Sequence, residues 1–273
     1  MVEDMALIEV ENASFDYGQG NVFQGLNFTV EKGEIFCLLG PNGCGKTTLL
    51  DCILGVRKVK TGRIMVEGME ISNLSPSKLA RVISYVPQRH ESTFPYRVLE
   101  MALMGRAAYT GFLSIPGETD YEIAEEALRL TGIVHLKDRP YTRLSGGELQ
   151  LVLIARALAQ KSPVIIMDEP TSHLDFKHEL VVLENIITLV RDRGISIVMA
   201  THIPNHAFYF EENHVLTRVA MLMDKGFLAV GRPQEILSVE NIRRLYGIDS
   251  TLFSFSLENQ KEQRRIIPIQ TVK

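Results

Sequence analysis

The sequence is poor in the features that mark several large functional classes. Cysteine is scarce, with 3 in 273 residues, and Cys37, Cys44 and Cys52 crowd one short stretch without metal-ligand spacing. Positive charge is not in excess. The 29 Lys and Arg against 33 Asp and Glu leave a net charge of −4, which argues against a strongly basic nucleic-acid binder. No apolar run reaches the roughly 18 residues a membrane span requires; the best stretch, Val215 to Val230, is broken by Arg218, Asp224 and Lys225. The N-terminus carries Glu3 and Asp4 and no apolar secretory core. There is no internal repeat and no low-complexity tract. What is present is apolar material, 45% of residues against 23% charged, enough for a full core and too much for a disordered chain. The expectation is a soluble cytosolic protein, one large domain or a core with an inserted subdomain.

Hydropathy patterning orders the chain. Ala6 to Asp16 alternates and reads as a strand on an antiparallel edge. Glu34 to Leu39 is a short apolar run between glycines, which suits a buried strand, and Leu49 to Leu54 continues from a Gly-rich turn with helical spacing. Val82 to Val86 reads as a strand ended by Pro87. From Val98 to Gly132 helical patterns dominate, with a Gly/Pro loop from Gly111 to Gly117. Leu149 to Gln160 is an apolar helix, Val164 to Met167 a buried strand and Glu179 to Val190 a helix; Ile195 to Ala200 and Val219 to Met223 are further strands. Strands on both sides of a helical insert predict a parallel sheet with a subdomain built into it. The end, Gln260 to Lys273, mixes Lys261, Arg264 and Arg265 with Ile266, Ile267 and Ile269 and carries no motif.

Two stretches carry phosphate chemistry. Gly40-Pro41-Asn42-Gly43-Cys44-Gly45-Lys46-Thr47 has P-loop spacing between a strand and a helix. Small residues let backbone N–H groups turn toward phosphate oxygens, and the following helix directs its positive dipole end at the anion. Lys46 supplies a cation for the β and γ phosphates, and the Thr47 hydroxyl, next to Thr48, can ligate Mg²⁺. The second stretch, Val164 to Glu169, is a buried strand ending in two carboxylates. Asp168 suits the holding of a phosphate-bound Mg²⁺, and Glu169 can orient or deprotonate an attacking water. A capping acid pair at a strand end is the plain alternative.

Leu144-Ser145-Gly146-Gly147-Glu148 opens the apolar helix, with Ser145 as a good N-cap and two glycines that permit close approach of backbone donors to a phosphate. A P-loop, this helix and a terminal Asp-Glu together resemble the ATP-binding cassette ATPases, over roughly Leu7 to Gly247. The resemblance implies an α/β fold: a P-loop NTPase (RecA-like) core with an antiparallel β edge subdomain and an inserted α-helical subdomain. It divides the chain into 1–90 (β edge and P-loop part of the core), 91–160 (helical subdomain ending in the signature helix), 161–247 (rest of the core) and 248–273 (a tail without assigned role). It also implies adenine stacking by Tyr17, and it makes Gln88, after Tyr85-Val86-Pro87, the glutamine that joins the γ-phosphate and Mg²⁺ region to the helical subdomain. Ser172-His173-Leu174-Asp175 matches the loop that touches a second subunit, and His202, after Thr201, the histidine that contacts the γ-phosphate. His202 and His206 lie four apart, yet without the Glu of a zinc-protease helix they make no metal site. Glu148 departs from the Gln many members carry; a carboxylate is unfavourable beside phosphates, so it is expected to turn away from them.

The same resemblance implies ATP and Mg²⁺ as ligands and an obligate ATP-dependent homodimer, or a dimer with a close relative, in which nucleotide on Lys46 of one subunit is closed over by Ser145, Gly146 and Gly147 of the other. Two functional classes follow: the ATPase subunit of a membrane importer, or a soluble cassette such as an iron–sulfur cluster assembly, ribosome-binding or DNA-repair ATPase. A single P-loop and the lack of sustained heptads leave cluster assembly as the soluble alternative. Phe94-Pro95-Tyr96 with Val98 to Arg106, Leu153 to Gln160, Thr171 to Asp175, Gly231 to Leu237 and Tyr246-Gly247-Ile248 are similar to importers of iron chelates, haem and cobalamin. Asn42 to Lys46 and Thr201 to Asn205 are also similar to molybdate importers. The importer reading implies permease subunits in the membrane, indirectly a substrate-binding protein, no nucleic acid, and a peripheral place on the cytoplasmic face of the membrane. Phe94, Tyr96, Tyr109 and Phe112 then read either as a docking patch for the permease or as subdomain core.

Overall fold

The computed structural model describes residues 6–18, 20–88, 90, 94–110, 115–256 and 262–272; Glu3, Asp4, Gly111, Phe112, Gln260, Lys261 and Lys273, singled out above, lie outside them. The chain opens with β1 (Ile8–Asp16), β2 (Asn21–Val30), β3 (Ile35–Leu39), α1 (Lys46–Ile53), β4 (Thr61–Val66) and β5 (Met69–Glu70). Next come α2 (Pro76–Val82), β6 (Ile83–Val86), α3 (Val98–Leu103), α4 (Glu118–Leu130), α5 (Gly146–Ala159), β7 (Val164–Asp168) and α6 (Phe176–Arg193). It closes with β8 (Ser196–Thr201), α7 (Asn205–Glu212), β9 (Thr217–Met223), β10 (Gly226–Gly231), α8 (Pro233–Ile236), α9 (Val239–Tyr246), β11 (Ile248–Ser256) and β12 (Glu262–Thr271). Contacts divide these into two units, Met1–Asn73 with Ser196–Lys273, and Leu74–Ile195.

In the first unit β3 lies between β8 and β9, parallel to both, and β10 pairs antiparallel with β9. A strand paired on both edges and covered on both faces has no polar side, which is why Ile35–Leu39 is apolar at every position and buried throughout. Each such side chain contributes about 1.5–3 kcal/mol on burial. β1, expected on an antiparallel edge, runs inside a sheet of order β2-β1-β4-β5. Its alternating burial marks one packed face. Phe28 stacks on Phe36 at 5.0 Å and meets Phe227 edge-on at 5.6 Å. Just before β3, the fully buried Glu34 accepts from the Arg218 guanidinium, whose Nη2 lies 2.8 Å from Glu34 Oε2 and 2.8 Å from the Thr29 carbonyl oxygen. β11 and β12 form an antiparallel hairpin from the tail that had no assigned role.

In the second unit β6 and β7 are parallel neighbours, and α3, α4 and α5 pack against one another. α5 is apolar nearly all round and is buried accordingly. Arg106 is buried beside it, with Nε 2.9 Å from Asp120 Oδ1 and Nη1 2.9 Å from the Ala159 carbonyl oxygen, and its guanidinium lies 4.0 Å from the Tyr109 ring centre. α6 extends beyond the expected Glu179 to Val190 because Asp175 caps its start and Gly194, at φ 65°, ends it.

Candidate functional site

α1 begins at Gly45, held at φ 108°, with no side-chain cap and no acidic residue in its first turn. A helix start of this kind, with its positive dipole end unopposed by acidic side chains, attracts anions. Two glycines of the loop are sterically required. A Cβ on Gly40 would stand 2.5 Å from Cys44 Sγ and 2.7 Å from the Leu222 carbonyl oxygen, and one on Gly45 would stand 2.8 Å from Val22 Cγ1. Lys46 is buried, and its Nζ donates to the carbonyls of Gly40 at 2.7 Å and Pro41 at 3.1 Å. Asn42, Gly43 and Thr47 are exposed, while Cys44 and Thr48 are half-buried. A backbone cradle that side chains would fill, with an ammonium curled over it, fits a polyphosphate.

Tyr17 is 56% exposed and meets Phe15 edge-on at 5.0 Å, so it is not a core aromatic. The Arg57 guanidinium lies 4.8 Å from the Tyr17 ring centre, and the tyrosine hydroxyl is 3.2 Å from Thr48 Oγ1 of α1. This ties the ring to the P-loop helix. His202 follows β8 and is exposed. His206 is instead buried, with Nδ1 3.2 Å from Thr201 Oγ1.

In the second unit, β7 ends at Asp168 and Glu169, both buried. Glu169 has φ 47°, the left-handed region that β-carbon sterics disfavour for a non-glycine residue. Strain of this kind costs about 1–3 kcal/mol and persists where surrounding contacts impose it. Its Oε2 accepts from Gln88 Nε2 at 3.0 Å, so two candidates 81 positions apart are brought into direct contact.

The signature turn is a capping box. Ser145 Oγ accepts from the Glu148 N–H at 3.3 Å, and Glu148 Oε2 accepts from the Ser145 N–H at 2.8 Å and hydroxyl at 3.0 Å. Glu148 thus turns back onto the helix start. The Ser145 N–H holds its carboxyl below the usual carboxylate range. Asp175 Oδ1 accepts from the His178 N–H at 2.9 Å and lies 2.8 Å from its Nδ1; the N–H, then the ring, lower the Asp175 pKa. The sequence reading missed His178. Its ring lies against Gly147, where an added Cβ would come within 2.1 Å of Cδ2. An i, i+3 spacing after Asp175 hinted at the cap, but no local signal reveals the approach to Gly147.

A P-loop opening onto a helix, beside an apolar strand that leads into it, defines the first unit as that of a P-loop nucleotide-binding ATPase. A family model described as ABC transporter matches residues 23–172. An uncharacterized ABC transporter ATP-binding protein of Haemophilus influenzae is 40% identical, with 94% of this chain and 95% of that protein covered. The molybdate import ATP-binding protein MolC of the same organism is 38% identical, with 88% of each covered. A solved ABC transporter of the metal-chelate type, in an inward-facing conformation, superposes with a TM-score of 0.86 at 34% identity, over 97% of this chain and 98% of that one. The chain belongs to the ABC transporter family, as its ATP-binding and ATP-hydrolysing component. The soluble iron–sulfur assembly alternative finds no support among these relatives.

Proposed function

We propose that the chain powers import of a metal chelate or a metal oxyanion through a transmembrane permease. Two facts taken together carry this reading: the chain has a polyphosphate cradle, and it is similar over nearly its whole length to a metal-chelate type transporter and to a molybdate import protein. Among the described residues no helix is long and apolar enough to cross a membrane. Phe94, 62% exposed, with the exposed Tyr96 6.0 Å away, supports a docking patch rather than subdomain core, and Tyr109 is exposed as well. A permease docked there would hold the chain at the cytoplasmic face of the membrane, with a substrate-binding protein delivering cargo on the other side.

In this reading Gly40 to Thr48 cradle the ATP phosphates, with Lys46 leaving its two carbonyls for the β and γ oxygens, and Tyr17 stacks on adenine. Thr47, Gln88 and Asp168 have the oxygen donors Mg²⁺ prefers; when bound, that ion neutralises charge developing on the phosphoryl oxygens. Glu169 positions and deprotonates the attacking water, and the hydrogen bond from Gln88 keeps its carboxylate aimed. His202 donates to the γ-phosphate. Ser145, Gly146 and Gly147 of a second copy close over the nucleotide, excluding water, with Asp175 at the seam.

The test is uptake by a strain lacking this chain, complemented with wild type or Glu169→Gln and offered labelled ferric chelate, cobalamin and molybdate in parallel. Recovery of one cargo by wild type alone is expected. Equal recovery by Glu169→Gln, or no deficit for any of the three, would overturn the proposal.

A further inference from the structure

His202 sits on a connection of three residues between β8 and α7. The peptide unit joining His202 to Ile203 is held on both of its polar sides. Its N–H, from Ile203, donates to Thr201 Oγ1 at 3.1 Å, and its carbonyl, from His202, accepts from the Tyr246 hydroxyl at 3.2 Å. A peptide plane gripped at one group can still rock about its flanking ψ and φ torsions. Gripped at both, it turns only by breaking two hydrogen bonds, and the torsion it fixes sets the direction of the His202 side chain.

Tyr246 is itself placed by the C-terminal hairpin. It is the last residue of α9, and Gly247, at φ 64°, turns the chain directly into β11. The Gly247 carbonyl accepts from the Val272 N–H at 2.9 Å, closing the base of the hairpin under the tyrosine. A second tie lies on the other side of the connection. Asn205, the first residue of α7, donates from Nδ2 to the Ile266 carbonyl at 3.1 Å and accepts on Oδ1 from the Ile266 N–H at 2.8 Å, as a neighbouring strand would. At the far end of α7, Glu212 accepts from the Arg264 N–H at 2.6 Å and takes the Arg265 guanidinium at 2.8 Å and 3.0 Å. The hairpin therefore clasps α7 at both ends and reaches the His202 carbonyl through Tyr246.

We propose that Tyr246 and Asn205 are positioning residues for His202, and that the C-terminal hairpin is the brace that sets this histidine for hydrolysis. The proposal rests on the reading of His202 as a γ-phosphate contact and adds to it a device outside the phosphate motifs. The hydroxyl is partly exposed, so its hydrogen bond is an ordinary one. Its loss should act on orientation rather than on folding.

The test uses the full chain and Tyr246→Phe, which removes one oxygen and keeps the ring. The expected result is a fall in kcat of about three- to tenfold, with KM for ATP within about twofold of wild type. Melting temperature should be unchanged. Hydrogen exchange in the nucleotide-free chain should speed up at residues 202–206 and nowhere else. Asn205→Ala should lower kcat in the same sense. In a His202→Ala background, Tyr246→Phe should cause no further fall, because the residue it positions is gone. Unchanged kcat in Tyr246→Phe would overturn the proposal, as would a fall that persists undiminished without His202, or one accompanied by a general rise in exchange. Full hydrolysis by His202→Ala would instead remove the reading beneath it, whatever Tyr246→Phe does.

Discussion

Gly147→Ala tests whether the signature glycine is required by packing within this chain as well as by an approaching phosphate. An added Cβ would lie 2.1 Å from His178 Cδ2, 2.3 Å from Cγ and 2.7 Å from Cβ. Carbon atoms settle at roughly 3.5–4.0 Å, so the ring must retreat by about 1.4 Å. Ring rotation alone cannot relieve the clash, since the third contact is with His178's own Cβ. Either the turn before α5 or the start of α6 has to move. The shift strains the contact between His178 Nδ1 and Asp175 and adds an overpacking cost of about 1–3 kcal/mol. A cost of about 1–3 kcal/mol corresponds to a melting temperature lower by about 2–10 °C. Thermal denaturation followed by circular dichroism reads it directly. A second variant, Gly147→Ala with His178→Gly, removes all three clashing atoms and should recover most of the loss. ATP hydrolysis by the double variant should stay low, because the new methyl still stands where a phosphate of the second copy's nucleotide is to approach. A wild-type melting temperature for Gly147→Ala would refute the steric argument, as would failure of His178→Gly to restore it.

Glu169→Gln should bind ATP normally and hydrolyse it at least about a hundredfold more slowly, accumulating a closed dimer by size-exclusion chromatography; wild-type turnover would remove Glu169 from its role. Lys46→Ala should weaken ATP binding by an order of magnitude or more, and an unchanged calorimetric Kd would count against the cradle. Arg218→Met leaves the buried Glu34 without its guanidinium and should lower unfolding free energy by about 3 kcal/mol in denaturant titration; a loss under 1 kcal/mol would show that the pair is dispensable. Glu148 has a depressed carboxyl pKa, chiefly through the Ser145 N–H, so it binds its proton less readily folded than unfolded. Its contribution is present above the unfolded value of about 4.3 and is lost as pH falls through the lower folded value. Glu148→Gln should therefore flatten the acid side of the melting-temperature profile, and an unaltered acid limb would sink the assignment.

The parts of the fold that were legible in the sequence share one physical trait: their own residues bury themselves. β3 and β7 are apolar at nearly every position because neighbours pair with them or cover them on all sides, and such runs stand out against any background. The P-loop and the Asp168-Glu169 pair were legible for a different reason, since phosphate chemistry restricts residue type at fixed spacing. The C-terminal hairpin had neither advantage. Of its described residues only Ser250 and Ile266 are buried, so alternation is faint, and Pro268, a poor strand former, lies within β12. Its ties to the rest of the chain come from Asn205 and Glu212, which belong to a helix elsewhere in the sequence.

The same distinction separates what the candidate residues do from what holds them. Lys46, Glu169 and Gln88 could be named from motifs, but the left-handed backbone of Glu169 and its hydrogen bond from Gln88 are consequences of folding that no spacing encodes. His178 against Gly147 and Tyr246 on the His202 carbonyl are of the same kind. On the proposed reading several motif residues change partners during turnover, and each makes a hydrogen bond that can yield: Lys46 to two carbonyls, Ser145 to Glu148, Glu169 with Gln88. Hydrogen bonds of this kind, worth about 1 kcal/mol net, order these groups and are weak enough for those a polyphosphate offers to replace them.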